Sequence, residues 1–265
     1  MRFGKPDHRP TTRFLLWSGA IGPILFAIIM LILGAVRPGY NAWRTTISTL
    51  ALSDYGWVQI ANFHLFGLMT LCFAVGLKRV FKRGLASLSA PLLFATVGIG
   101  LILAGIFVTD PFLGYPIATP ANRESLHGTI HNLAALIVFL ALPITCFVMG
   151  RRFARNPAWR NWSILSMAAG GLVLIFFAWF FTSVQAAADA TPGDVIHAGL
   201  LERITSMIGC FWMSALAFRL IRRAARLSHY PLSAARPQRL MQPLRFPGSQ
   251  GLRRSYRRLR RRARL

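Results

Sequence analysis

Acidic residues are scarce in this chain. Seven Asp and Glu stand against 31 Lys and Arg, and only 14% of the 265 residues are charged. A soluble domain carries about 25% charged residues, so a freestanding soluble globule is excluded. Cysteine is nearly missing as well. Cys72, Cys146 and Cys210 lie far apart inside apolar segments, with no CxxC spacing, which argues against a thiolate metal site or a disulfide framework and for packing residues. No Gly-rich phosphate loop is present, and no GxSxG elbow surrounds any serine.

Long apolar runs are abundant. Hydrophobic residues make up 54% of the chain, and they are gathered into runs of about 20, the length that crosses roughly 30 Å of hydrocarbon at 1.5 Å per residue. Six spans follow: 14–36, 57–77, 88–109, 126–149, 162–184 and 198–220. The first is too long for a signal-peptide core, and Val36-Arg37-Pro38-Gly39-Tyr40 offers no small-residue cleavage site; it is expected to be retained. The expected fold is all-α, a six-helix bundle over residues 14–223. A basic N-terminus (1–13) precedes it, and an Arg-rich tail without regular structure (224–265) follows it.

The charges are sorted by gap. Of the 31 basic residues, 27 fall in alternate gaps: Arg2, Lys5, Arg9 and Arg13; Lys78, Arg79, Lys82 and Arg83; Arg151, Arg152, Arg155 and Arg160; and fifteen arginines from Arg219 onward. Basic residues stay cytoplasmic in short loops, which predicts both termini inside, in a bacterial inner (cytoplasmic) membrane. The net charge of +24 then reads as a cytoplasmic anchoring field rather than the signature of a nucleic-acid binder. Three readings of the tail stay open: an orientation-holding segment, a binder of anionic lipid headgroups, worth about 1 kcal/mol per residue near the surface, or a contact for nucleic acid or protein. The oligomeric state is open.

Function is expected at the opposite face, which holds six of the seven acids. Its loops carry the interfacial aromatics Tyr40, Trp43, Tyr55 and Trp57 and the turn prolines Pro111, Pro116 and Pro120. Thr119-Pro120 reads as a helix cap, with the fourth helix starting near Pro120, and Asp54 as a cap for the second helix. By depth, His64, His127, His131, His197, Asp110, Glu202, Arg203, Ser48, Ser53 and Asp54 can share one pocket. Glu124, His127 and His131 at i, i+3, i+7 would lie on one stripe. His127 and His131 could hold zinc or another divalent ion with Asp110, and Glu124 could act as ligand or general base. A hydrogen-bond network across helices accounts for the same histidines. Ser48 is a candidate nucleophile. Arg203, Glu202, His64 and Arg44 are candidates for substrate contact. Adjacent residues on a helix point about 100° apart, so Glu202 and Arg203 should bond to different neighbours. Arg203 is expected to meet Asp110 or an anionic headgroup, and Glu202 to accept from His64 or His197.

Several motifs together resemble the bacterial and archaeal membrane family "domain of unknown function 998". They are Gly19-Ala20-Ile21-Gly22-Pro23, Arg37-Pro38-Gly39-Tyr40, Thr46-Ile47-Ser48-Thr49-Leu50, Gly105-Ile106-Phe107 through Thr109-Asp110-Pro111, Leu126-His127-Gly128-Thr129-Ile130-His131-Asn132, and Glu202-Arg203. The resemblance covers 14–223 and implies six membrane helices without an activity to carry over. His127 and His131 also match the HxxxH spacing of membrane hydrolases of the alkaline ceramidase and progestin-receptor type, in which Ser, Asp and His surround zinc. Those proteins have seven core helices with the final HxxxH on the last, whereas here it lies on the fourth of six. Three functions remain in view: a metal-dependent hydrolase of a lipid-like substrate, a non-catalytic lipid-binding, sensory or assembly protein, and a small-solute transporter.

Overall fold

In hydrocarbon an apolar run must satisfy its own backbone, and the α-helix does so within one segment. The computed structural model describes residues 10–117, 119, 125–188 and 195–228. Within them the chain forms α1 (Pro10–Val36), α2 (Gly56–Val80), α3 (Ser89–Ile106), α4 (Leu126–Ala154), α5 (Arg160–Ala188) and α6 (Ala198–Ser228). Six helices are long and apolar enough to cross a membrane. Among the described residues no strand forms, and the isolated bridge pairs Phe112 with Tyr115. The architecture is all-helical, as the apolar runs predict.

The helices pack as a ring in chain order. Each lies against its sequence neighbours, and α6 returns to α1. At the α2–α3 seam, a Cβ added to Gly67 would sit 2.7 Å from the Gly98 carbonyl, and one added to Gly98 would sit 2.8 Å from the Gly67 carbonyl. Backbones come this close in lipid because small residues supply the packing that the hydrophobic effect cannot. α5 is the least enclosed helix. Only 28% of its span is buried, against 50% for α2, α3, α4 and α6, and Ile175, Trp179 and Phe181 are exposed.

One half of the ring is solid. Phe73 meets Phe94 edge-on with centroids 5.0 Å apart, and Phe94 stacks on Trp212 at 6.0 Å with planes 7° apart. Trp212 Nε1 donates to Ser166 Oγ at 3.1 Å. These side chains tie α2, α3, α5 and α6 together across the ring. Trp212 is 1% exposed, and Leu77, Met149 and Leu216 of the same core are fully covered. Towards this end Arg152 of α4 reaches the α2–α3 loop, where its Nη1 donates to the Leu85 and Arg83 carbonyls and its guanidinium lies 4.1 Å from the Phe81 ring centre. The charge pattern groups Arg152 with three neighbours of like sign. The fold instead buries it as a loop clamp.

Three helix ends depart from expectation. α3 stops at Ile106, because Phe107 turns to an extended conformation (φ −97°, ψ 98°); the span predicted to Thr109 ends early, and Asp110 falls in the loop. α4 starts at Leu126 rather than near Pro120. Ser125 is its cap, extended at ψ 160°, with Oγ accepting from the Gly128 N–H at 3.0 Å. Thr119 spends its hydroxyl on the Pro116 carbonyl in a turn. α2 begins after Tyr55 with no side-chain cap, so Asp54 does not take that role. Pro120, Glu124 and the tail from 229 onward lie outside the described residues.

Candidate functional site

Residues 37–55 connect α1 to α2 and close one end of the ring. Three polar side chains wire this loop down. Arg37, just past α1, donates from Nη2 to the Leu50 carbonyl at 3.1 Å, and from Nη1 to the Leu52 carbonyl at 3.2 Å and to Ser53 Oγ. Arg203 of α6 donates from Nη1 to the carbonyls of Ala42 (2.8 Å), Thr45 (3.1 Å) and Gly199 (2.8 Å), and from Nη2 to the Tyr40 hydroxyl. Glu202 accepts the Ile47 N–H on Oε2 at 2.6 Å. The first N–H groups of a helix have no partner within it. In α6 the loop supplies them: Gly199 N–H donates to the Arg44 carbonyl at 3.1 Å and Leu200 N–H to the Trp43 carbonyl at 3.0 Å.

Tyr40 is the hinge of this wiring. Its hydroxyl donates towards the Thr45 and Thr46 carbonyls at 3.0 and 2.9 Å. Burial pushes its phenol up to about 12 against the opposing pull of the Arg203 charge, so it stays a protonated donor at ordinary pH. Glu202 and Arg203 do bond to different neighbours, as their angular separation requires. The partners differ from those expected. Arg203 is held by oxygens of Tyr40, Ala42 and Thr45 in the loop and of Gly199 in its own helix rather than by Asp110 or a headgroup, and Glu202 takes a backbone amide rather than a histidine.

Beneath the loop the ring is hollow. A cleft with ≈ 720 Å³ free of protein atoms, its open mouth included, is lined from every helix except α5. Its polar lining is Ser48, His131, Glu202 and Ser206, near the loop end. The deeper wall is apolar, with Phe66, Val97, Leu142 and Met213. His131 to Leu142 and Glu202 to Met213 are each eleven residues, so the cleft runs about 16 Å along the helices. Both walls repeat one pattern: Glu202, Ser206, Gly209, Cys210 and Met213 on α6, and His131, Ala135, Val138, Phe139 and Leu142 on α4. Each is i, i+4, i+7, i+8, i+11, a single helical stripe. Sequence reasoning passed over Ser206, Cys210 and Phe139, although the stripe could have been read from Glu202 or His131 downward.

His131 is 2% exposed. Its Nδ1 contacts the Ala104 carbonyl at 3.0 Å and the Phe107 carbonyl at 2.8 Å. Carbonyls only accept, so Nδ1 carries a proton. These two oxygens are among those that the early end of α3 leaves without a helical partner, and His131 caps them. Asp110 does the reciprocal work at the start of α4. Its Oδ2 accepts from Ser125 N–H at 2.8 Å and its Oδ1 from Ser125 Oγ at 2.6 Å, which places a negative charge at a helix N-terminus. His127 is exposed, its ring 5.4 Å from that of Phe107. The corner predicted to hold Asp110, His127 and His131 therefore exists, but each side chain has a separate employment there. Among the described residues no group of three His, Cys, Asp or Glu could hold a metal ion.

The other candidates scatter. His64 packs at the α2–α3 seam beside Gly105, with Nδ1 on its own helix's Ile60 carbonyl at 2.7 Å, and is not among the lining residues. His197 and Asp54 are exposed, and Arg44 is half-buried in the loop. Ser48 lines the cleft and lies 3.2 Å from Thr46 Oγ1.

The fold and the cleft define a polytopic helical membrane protein with a chamber closed at one end by its own aromatic core. The family model described as "Protein of unknown function (DUF998)" matches residues 20–219, and the chain belongs to that family. No curated protein and no solved structure matches the chain.

Proposed function

We propose that this protein is a non-catalytic lipid-binding membrane protein that takes a single-chain amphiphile into the cleft. One observation carries the reading: the polar lining sits at one end of the cleft and the apolar lining at the other. A bound amphiphile would place its chain against Phe66, Val97, Leu142 and Met213 and its polar end beside Ser48, His131 and Glu202. Burial of the chain is worth about 0.8 kcal/mol per methylene. The Phe73–Phe94–Trp212 floor makes the cleft blind, which opposes the transporter reading.

With the basic end cytoplasmic, in a bacterial inner membrane, the polar end of the cleft lies towards the outer side beneath the 37–55 loop, both termini are inside, and the Arg-rich tail binds anionic headgroups. Reporter fusions at each loop read this orientation. The binding test is photolabelling of the full chain in lipid nanodiscs with a diazirine-bearing long-chain alcohol. Label is expected on peptides containing 131–142 and 202–213. It should be lost in Ala135→Phe and in Ser206→Phe, which fill the cleft from α4 and from α6. Label spread over the lipid-facing surface, unchanged by either variant, overturns the reading.

A hydrolytic reading has one observation in its favour: a hydroxyl, an imidazole and a carboxylate (Ser48, His131 and Glu202) line the same cleft. Turnover of a fluorogenic long-chain ester that is abolished by Ser48→Ala would put it first. Zinc analysis of the same preparation separates the metal-dependent form. Stoichiometric zinc, lost in the His127→Ala/His131→Ala double variant, would restore that form, with Asp110 and Glu124 as the remaining ligands to test.

A further inference from the structure

Resting on the amphiphile reading, the headgroup chemistry of the ligand follows from which polar atoms the cleft leaves unspent. Arg203 is 7% exposed, and both its terminal guanidinium nitrogens, Nη1 and Nη2, are committed to Ala42, Thr45, Gly199 and Tyr40. Arg37 is committed to Leu50, Leu52 and Ser53. Among the described residues no Lys or Arg lines the cleft. Its one ionisable acid, Glu202, gives a single oxygen to Ile47 and keeps Oε1 without a hydrogen-bond partner among the described residues. His131 has its proton fixed on Nδ1 by two carbonyls. In the neutral ring Nε2 is then a lone-pair acceptor, and it too has no partner among the described residues. The serine hydroxyls can donate or accept.

An anionic headgroup would face a carboxyl group and an acceptor nitrogen in an apolar cavity with no cation in the wall. An uncompensated buried charge is costly. A donor headgroup meets the reverse: two acceptors already in place. We infer that the ligand is a single-chain amphiphile whose polar end donates hydrogen bonds, an ammonium or a hydroxyl, and that this cleft rejects carboxylate and phosphate amphiphiles. Arg203, the residue that most resembles an anion receptor in the sequence, is a brace for the loop.

The test is competition against the photoreactive alcohol on the full chain in nanodiscs, with four probes of one chain length: dodecylamine, dodecanol, dodecanoate and dodecyl phosphate. The amine and alcohol are expected to displace the label from the 131–142 and 202–213 peptides. The two anions should be weaker by about tenfold or more, the scale of one uncompensated charge. Glu202→Gln keeps an acceptor for the Ile47 amide and removes the ionisable group. It should bring dodecanoate to within a few-fold of dodecylamine. Anions that displace the label from wild type as well as the amine does overturn the headgroup inference and leave the amphiphile cleft standing. Label that never maps to these peptides overturns both. The wild-type series decides the matter even if the variant fails to fold.

Discussion

The two halves of the ring differ in what fills them. Around Trp212 the space between helices is occupied by aromatic rings in contact, and the one polar atom of the indole has found Ser166. Beneath the 37–55 loop the space is left open, and hydrogen bonds close the end instead of side-chain packing. A packed core loses stability when a group is removed, because the void does not collapse. A wall that already borders a void loses less. Closure by charge-assisted bonds fails differently: removing one arginine orphans several buried carbonyls at once. The solid half is thus sensitive to size, and the hollow half to donors and acceptors.

Substitutions can break or sharpen this contrast. The largest effect is expected at Arg203. Arg203→Ala should destabilise by about 3–5 kcal/mol, leaving the Ala42, Thr45 and Gly199 carbonyls and the Tyr40 hydroxyl without their cation. Arg203→Lys should recover less than half, since a point charge cannot reproduce a planar fork. Thermal unfolding in detergent measures both, and full rescue by Lys would show that charge alone holds the loop.

Next come paired truncations of equal size. Leu77→Ala in the solid half should cost about 3–5 kcal/mol, while Leu142→Ala in the cleft wall should cost about half as much. Equal losses would mean that the cleft is packed in the membrane, and the comparison would fail. Trp212→Ala should match the larger loss and, by removing the floor, let the photoprobe label residues deeper on α6.

A smaller effect is expected at His131. His131→Ala exposes two buried carbonyls, worth about 1–3 kcal/mol, and removes a headgroup acceptor, so stability and photolabelling should fall together. Unchanged stability would remove its capping role. The smallest is Asp110→Ala, about 1 kcal/mol or less for a charged reinforcement of the Ser125 cap. His127→Ala should be near neutral. If Asp110→Ala and His127→Ala instead both abolish a bound metal, the corner is a ligand set rather than a pair of helix caps.

Much of the fold was legible in the sequence, and little of the site. Span length and composition are local properties, so the six apolar runs and their order could be read residue by residue. Helix ends were less legible. The third span was read to Thr109, with Asp110 at its end, but α3 stops at Ile106, three residues earlier, because Phe107 breaks the helix and His131 covers the freed carbonyls. Ser125 went unread as a cap because Thr119-Pro120 carried the more familiar signal. His131 was singled out as a metal ligand and Glu202 as a substrate contact, and both do line the cleft. Arg203 was singled out beside Glu202 and does not, because a single helical step turns it towards the loop.

The amino-acid sequence by itself determined that the chain is helical, that it carries six membrane-competent segments, and that six of its seven acids lie in the gaps that lack its basic clusters or at the helix ends beside them. Each of these depends on the order of residues along one segment. The tertiary structure decided which polar side chains are spent and which are left over. That depends on the rotation of each helix about its axis and on backbone atoms supplied by distant segments: the Ile47 amide to Glu202, the Ala104 carbonyl to His131, the Ala42 carbonyl to Arg203. The chemistry of the cleft is the remainder after those partnerships are made, and no run of sequence contains it.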